Sequence, residues 1–390
     1  MRRPGCADQA RTLAVLPAPG GRLSGGFLVN ERLFASGACA VAEVTTTDEL
    51  VDELGALEAS DTAIVDSLFL FDSEQADALI RTARRMPVIL LAHSLPSLIP
   101  GEHAQTRLVR LARERGFLPL CCGAVAPSAF MAGALNRRGL GQDRIAVIPP
   151  APVCDGRGPA AGSTPAGSTP AGLTPEADSV RTGRRTPMIL TVANWSPAKA
   201  IAHAAHALAA VADLEWSWTV IGTRDANGDC VRAVVDRITG AGLTDRVELL
   251  EPMHPDELHA YYRRAGLFLL PSLMESYGIV YAEAISHGVP VVGYRCAAVP
   301  EAVDETALLV PAGRTDLLAD AIRDTIASGR ALGRQTATAS ASSGAIPAIH
   351  GAGLPHWSTV RSRFTAAVDR MRATWSQETT AGRLPGGPHL

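Results

Sequence analysis

Short apolar runs recur along the chain at 12–17, 62–66, 87–92 and 144–148, and each has the length and composition of a buried strand. Between them lie longer stretches, 47–57 and 73–85, in which apolar positions return every three or four residues, the period of a helix with one buried face. Strands without polar alternation, separated by amphipathic helices, predict a parallel sheet with helices on both faces.

The pattern stops at 155 and restarts at 187. The interval contains AGSTP-AGSTP-AGLTP, a five-residue repeat over 161–175. It offers too little apolar surface to offset the entropy of ordering, so 155–186 is expected to be a flexible linker. Beyond it, strands are predicted at 188–193, 216–222, 247–250, 267–271 and 289–294, with helices at 256–265 and 279–287. Gly288 sits where a helix C-terminus favours glycine. The predicted organisation is a domain over 1–154, the linker, a second domain over 187–331, and a last segment over 332–390. That segment is rich in Ser, Ala and Gly at first, then holds a helix at 357–374, then a disordered tail.

A chain of 390 residues, 47% of them hydrophobic, can bury two cores. Its net charge of −3 argues against a nucleic-acid partner. The 7 cysteines follow no disulfide or zinc spacing, which fits a reducing compartment. Arg2 and Arg3 precede an apolar stretch that Pro17 breaks too early for a leader. No apolar run approaches the ~20 residues of a membrane helix. The expected location is the cytoplasm, or the inner face of its membrane.

In open α/β sheets ligands bind beyond the carboxyl ends of the strands, so the residues just after each strand carry the chemistry. The richest such stretch is 271–292, PSLMESYGIVYAEAISHGVPVV. Gly278 stands where a helix begins, and free amide N–H groups there favour a phosphate. Glu275 and Glu283 lie eight positions apart. At ~1.5 Å per helical residue they should be roughly 10 Å apart, too far for the ~5–5.5 Å carboxylate pair of a retaining glycosidase. They suit the two ends of one long ligand whose diphosphate rests on the helix N-terminus.

This string, with Glu275 and Glu283 in its Gly, Pro and strand context, resembles the signature of glycosyltransferase family 4. The resemblance is clear over 187–330 and fainter over 12–154. It implies an α/β fold of GT-B type, two Rossmann-like domains whose parallel sheets face a central cleft. It also implies that Glu275 contacts the donor sugar, that Glu283 holds the ribose, and that the backbone of Ser276, Gly278 and Ile279 meets the phosphates. In Ser196-Pro197-Ala198-Lys199-Ala200 the family's lysine is kept as Lys199, a diphosphate contact. Ala198 and Ala200 stand where Arg and Gly are usual. Ser24-Gly25-Gly26 resembles the family's loop beside the diphosphate, with the glycine pair serving a tight turn. His93, after the strand at 87–92, falls where family members carry a histidine near the reacting sugar; Asp66 ends the strand at 62–66. Ala297-Ala298 replaces a usual Gly-Gly before Pro300-Glu301.

The implied reaction is metal-independent transfer of a sugar, with retention, from a nucleoside-diphosphate-sugar to an acceptor hydroxyl. Catalysis falls to Glu275, His93 and Lys199, with Gly25 and Gly26 among the donor contacts, and Glu275, Glu283, Lys199 and the Gly25-Gly26 loop are expected to line the cleft. The donor is a substrate, and no further cofactor is expected. The acceptor, whether small molecule, glycan or lipid-linked, stays open. Ala198 and the Ala297-Ala298 pair keep open a catalytically weak relative that binds nucleotide-sugar or serves as a scaffold. A nucleotide-sugar epimerase is a third reading. A dinucleotide oxidoreductase is disfavoured, because no G-x-G-x-x-G follows a strand. Arg107, Arg110, Arg113 and Arg115 share a basic helix that is expected to be a solvated face, with weak peripheral contact to an anionic membrane as the alternative.

Overall fold

The computed structural model describes residues 10–20, 24–37, 39–152, 186–224, 228–329 and 355–381. The expected linker lies outside these residues but for its last position, as do the Ser/Ala/Gly-rich stretch and the terminal tail. The chain divides into two compact units, Met1–Ala151 with Pro355–Leu390, and Pro152–Leu354.

Unit 1 alternates strands and helices: β1 (Thr12–Pro17), α1 (Gly25–Phe34), β2 (Ala40–Val44), α2 (Thr47–Gly55), β3 (Thr62–Asp66), α3 (Ser73–Ala83), β4 (Val88–Leu91), α4 (Ala104–Phe117), β5 (Gly123–Ala126), α5 (Ala129–Asn136) and β6 (Ile145–Val147). The six strands form one parallel sheet in the order β2-β1-β3-β4-β5-β6, with Leu13 opposite both Ala40 and Ala63, and Ile64 opposite Ile89. Side chains of β3 and β4 are buried on both faces, as their unbroken apolar runs require.

Unit 2 continues with β7 (Met188–Val192), α6 (Ile201–Ala210), β8 (Ser217–Ile221), α7 (Gly228–Gly240), β9 (Val247–Leu250), α8 (Pro255–Arg264), β10 (Leu267–Leu270), α9 (Ile279–Ser286), β11 (Val291–Arg295), α10 (Val299–Ala302), β12 (Leu308–Pro311) and α11 (Thr315–Ala327). Its sheet is parallel throughout, in the order β12-β11-β10-β7-β8-β9. Counted from β7, this is the 3-2-1-4-5-6 order of nucleotide-binding sheets, read from the other edge. Strand order reverses between β7 and β10, the switch point at which sheets of this kind bind ligands. The core around the sheet holds Trp216, Trp218, Phe268 and Tyr281. Two of its polar side chains are satisfied in series: the Trp218 indole N–H donates to Thr191 Oγ1 at 3.0 Å, and Thr191 donates to the Leu269 carbonyl at 2.5 Å.

The last helix, α12 (Trp357–Thr380), belongs to unit 1. Val360, Phe364, Ala367, Val368 and Met371 recur at helical spacing and are buried against the sheet's core, with Phe364 edge-on to Phe34 at 5.6 Å. Met371 lies over Gly123, where any Cβ would collide with it. Among the described residues, no helix is long and apolar enough to cross a membrane.

Candidate functional site

In unit 2 the loops after β7 and β10 meet at the switch point. After β7, Pro197–Lys199 makes a single tight turn, closed by Ala200 in the left-handed region at φ 46°. After β10, Leu273 N–H donates to the Ala198 carbonyl at 2.7 Å, tying the two loops together. Lys199 Nζ then reaches Glu275 Oε1 at 2.7 Å. The hydroxyl of Ser272, a fully buried residue, donates to the same oxygen at 2.7 Å. Both bonds fall on Oε1, and among the described residues Oε2 takes none. The Glu275 carboxylate is nearly buried, whereas the Lys199 side chain is 26% exposed.

The loop after β11 closes the other side. Ala298 N–H donates to the Glu275 carbonyl at 3.2 Å, and Cys296 Sγ donates to the Ser272 carbonyl at 2.8 Å. Burial and the neighbouring Glu275 carboxylate push the Cys296 thiol up to about 12, so it is protonated and not nucleophilic at neutral pH. Ala297 adopts φ 44°, a second left-handed alanine in this unit. A left-handed L-residue costs about 1–2 kcal/mol, so both alanines hold a conformation that glycine would take without strain.

Gly278 begins α9 at φ 102°, and a Cβ there would stand 2.9 Å from Tyr281. Glycine alone meets both conditions without strain, and it opens α9 just beyond Glu275; the N–H groups of Ile279 and Val280 have no intrahelical acceptor, while Tyr281 N–H donates to the Gly278 carbonyl at 3.0 Å. Ser276 and Ile279 are half-buried on either side of Gly278. Glu283 lies further along α9, 4% exposed, and accepts from the Tyr262 hydroxyl of α8 at 2.9 Å. Tyr262 stacks on His287 with ring centroids 5.0 Å apart.

Unit 1 gathers a second cluster at its own switch point, between β1 and β3. The Ser24-Gly25-Gly26 segment, expected as a turn, is the start of a helix. Ser24 caps α1 by accepting from Phe27 N–H, and neither glycine has positive φ. Gly26 packs against His93: a Cβ there would lie 3.5 Å from the ring, an ordinary van der Waals contact. His93, just past β4, places Nε2 at 2.7 Å from Asn30 Oδ1. Asn30 Nδ2 donates to Asp66 Oδ2 at 2.8 Å, and Asp66 Oδ1 accepts from Leu68 N–H at 2.9 Å. Asp66 is fully buried and Asn30 nearly so.

Lys199 and Glu275 thus come together, as do Gly26, His93 and Asp66. Ser272, Cys296, Tyr262 and Asn30 were not singled out from the sequence. Tyr262 and Asn30 lie inside helices, where a polar residue signals nothing until its face is known. The basic face of α4 is not uniformly solvated. Arg110 pairs with Glu102 and covers the Phe71 ring, and Arg113 reaches the Leu70 carbonyl, while Arg107 and Arg115 are exposed.

Residues 186–328 match the family model described as glycosyl transferases group 1. The chain is similar to D-inositol 3-phosphate glycosyltransferases. It is 39% identical to that of Mycobacteroides abscessus over 106 residues, 26% of this chain and 24% of the relative. It is 42% identical to that of Corynebacterium efficiens over 83 residues, 21% of this chain and 20% of the relative. The similarity thus spans about a quarter or less of those relatives' length. Among solved structures, HepE of Anabaena in complex with UDP and glucose aligns with a TM-score of 0.60 at 15% identity, over 95% of this chain and 100% of that one. Sucrose-phosphate synthase of Thermosynechococcus elongatus aligns with a TM-score of 0.61 at 17% identity, over 95% and 99%. The fold is the α/β GT-B type.

Proposed function

We propose that this protein is a retaining glycosyltransferase of the family 4 type, which moves a sugar from a nucleoside-diphosphate-sugar to an acceptor hydroxyl without a metal ion. The observation that carries the reading is the Lys199–Glu275–Ser272 cluster beside the N-terminus of α9, at the switch point of a sheet with nucleotide-binding strand order. The group 1 family match over the same unit supports it. So does the complex of HepE with UDP and glucose, for the donor class.

In this reading the diphosphate rests on the N–H groups of Ile279 and Val280, with Lys199 as its side-chain cation. Glu275 keeps Oε1 on Lys199 and turns Oε2 to the donor sugar. Glu283, steadied by Tyr262, takes the ribose. The acceptor hydroxyl attacks the anomeric carbon on the face from which the diphosphate departs. The bond to the phosphate oxygen breaks as the new glycosidic bond forms, and the hydroxyl proton passes to that oxygen. Negative charge grows on the leaving diphosphate, where Lys199 and the helix N-terminus already point, so they stabilise the transition state more than the ground state. The left-handed conformations of Ala200 and Ala297 keep the backbone path that glycines would give, which favours a working enzyme over a decayed one.

The test is turnover. The protein is incubated with UDP-glucose, UDP-N-acetylglucosamine or GDP-mannose and a mixed panel of polyol, glycan and lipid-linked acceptors. Acceptor-dependent release of nucleoside diphosphate supports transfer. Conversion of the donor to its epimer without acceptor would replace this reading with the epimerase one.

A further inference from the structure

The Asp66–Asn30–His93 chain has more order than a packed loop requires. Asp66 is fully buried, and its Oδ2 faces the Asn30 side-chain amide at 2.8 Å. A carboxylate oxygen only accepts, so Asn30 must present its NH2 to Asp66. That fixes the amide's orientation and turns Oδ1 toward His93 Nε2, 2.7 Å away. Oδ1 in turn only accepts, so Nε2 must carry the proton. In the neutral ring Nδ1 is then left with a lone pair, and among the described residues it takes no hydrogen bond.

We infer that Asp66 and Asn30 are positioning residues that lock His93 in the Nε2–H tautomer, so that its Nδ1 accepts a hydrogen bond from a substrate hydroxyl. The three groups come from three elements: Asn30 from α1, Asp66 from the end of β3 and His93 from the end of β4. The first turn of α1, the helix that carries Asn30, packs against the imidazole at Gly26. A ring held this way presents no donor at Nδ1, so it selects a hydroxyl over a phosphate or carboxylate oxygen. That the hydroxyl belongs to a sugar or its acceptor rests on the glycosyltransferase reading; the tautomer does not.

The substitution Asp66→Asn makes the chain directional in the opposite sense while keeping its shape. The oxygen of the introduced amide can still accept from Leu68 N–H. The nitrogen of that amide would then take the place of Oδ2 and donate to Asn30, which must flip to receive it. Asn30 would present NH2 to Nε2, and the His93 proton would move to Nδ1.

The experiment is long-range 1H–15N correlation NMR at pH 8 on the full chain labelled with 15N-histidine, with His93 assigned by its loss in His93→Gln. The wild type is expected to show a neutral Nε2–H ring, and Asp66→Asn an Nδ1–H ring. A wild-type ring that is Nδ1–H, averaged between tautomers or doubly protonated overturns the inference. So does an Asp66→Asn spectrum unchanged from wild type. Asp66→Asn should also slow glycosyl transfer about tenfold or more, because two donors would then face each other at the hydroxyl contact. Correct tautomers with no transfer from any donor would sink the functional reading alone.

Discussion

Lys199 and Glu275 are 76 residues apart in sequence and 2.7 Å apart in space, joined across the point where strand order reverses. The lysine arrives on the loop after β7 and the glutamate on the loop after β10. Part of the lysine is exposed, so the pair itself should add under ~1 kcal/mol to stability. Its value lies in holding an ammonium at the mouth of α9. Lys199→Ala should change the melting temperature little. It should weaken UDP binding roughly tenfold to a hundredfold, the equivalent of a charge-assisted contact of ~1.5–3 kcal/mol. Calorimetric titration with UDP checks this, and equal affinity in both proteins would remove Lys199 from the site.

Glu283 and Glu275 should separate kinetically. Glu283 is assigned to the ribose, which changes little during reaction, so Glu283→Gln should raise the donor KM. Tyr262→Phe, which removes the hydroxyl that Glu283 accepts from, should do the same more weakly. Glu275→Gln should instead lower kcat, because charge develops at the sugar to which it is assigned. Steady-state kinetics on the three variants decides, and a shared pattern would refute the division.

Much of this fold and site is legible in the amino-acid sequence. The strands at 12–17, 62–66 and 247–250 have the same bounds in the structure, because short runs rich in apolar residues and bounded by turn residues leave little choice of where a strand begins and ends. β2, β5 and β12 are not legible in the same way, since Ala40–Val44 is a mostly exposed edge, Gly123–Ala126 is short and made mainly of small residues, and Leu308–Pro311 is a short edge strand. Glu275, Lys199 and Gly278 stood out because they follow strands. The pairing of Lys199 with Glu275, and the Asn30 bridge from Asp66 to His93, depend on which strands are neighbours, and no local pattern states that.

The two left-handed alanines make a stability prediction. Ala200→Gly and Ala297→Gly each remove about 1–2 kcal/mol of backbone strain and add ~0.4–1 kcal/mol of unfolded-state freedom. Each should therefore be neutral or stabilising by up to about 1 kcal/mol, while Ala297→Val should destabilise. Urea denaturation measures the order, and a clear loss in both glycine variants would contradict the strain.

Helix α12 should be essential to unit 1. Phe364→Ala removes a buried ring that meets Phe34 edge-on and should cost about 3–5 kcal/mol. The loss should appear in thermal unfolding followed by circular dichroism. A change under ~1 kcal/mol would mean that α12 is not packed as described.

A nucleoside-diphosphate-sugar is proposed to bind at the Lys199–Glu275 cluster. Thermal unfolding of the full chain with UDP-glucose, UDP-N-acetylglucosamine and GDP-mannose tests it most directly, because a ligand that binds only the folded state raises its stability. At least one donor should raise the melting temperature of the wild type, by about 2.7 kcal/mol of stabilisation at a hundred times its Kd. At the same concentration the same donor should stabilise Lys199→Ala by only about 0.4–1.4 kcal/mol, as a site weakened a hundredfold to tenfold requires. No response to any of the three, or equal stabilisation of wild type and Lys199→Ala, would contradict the account.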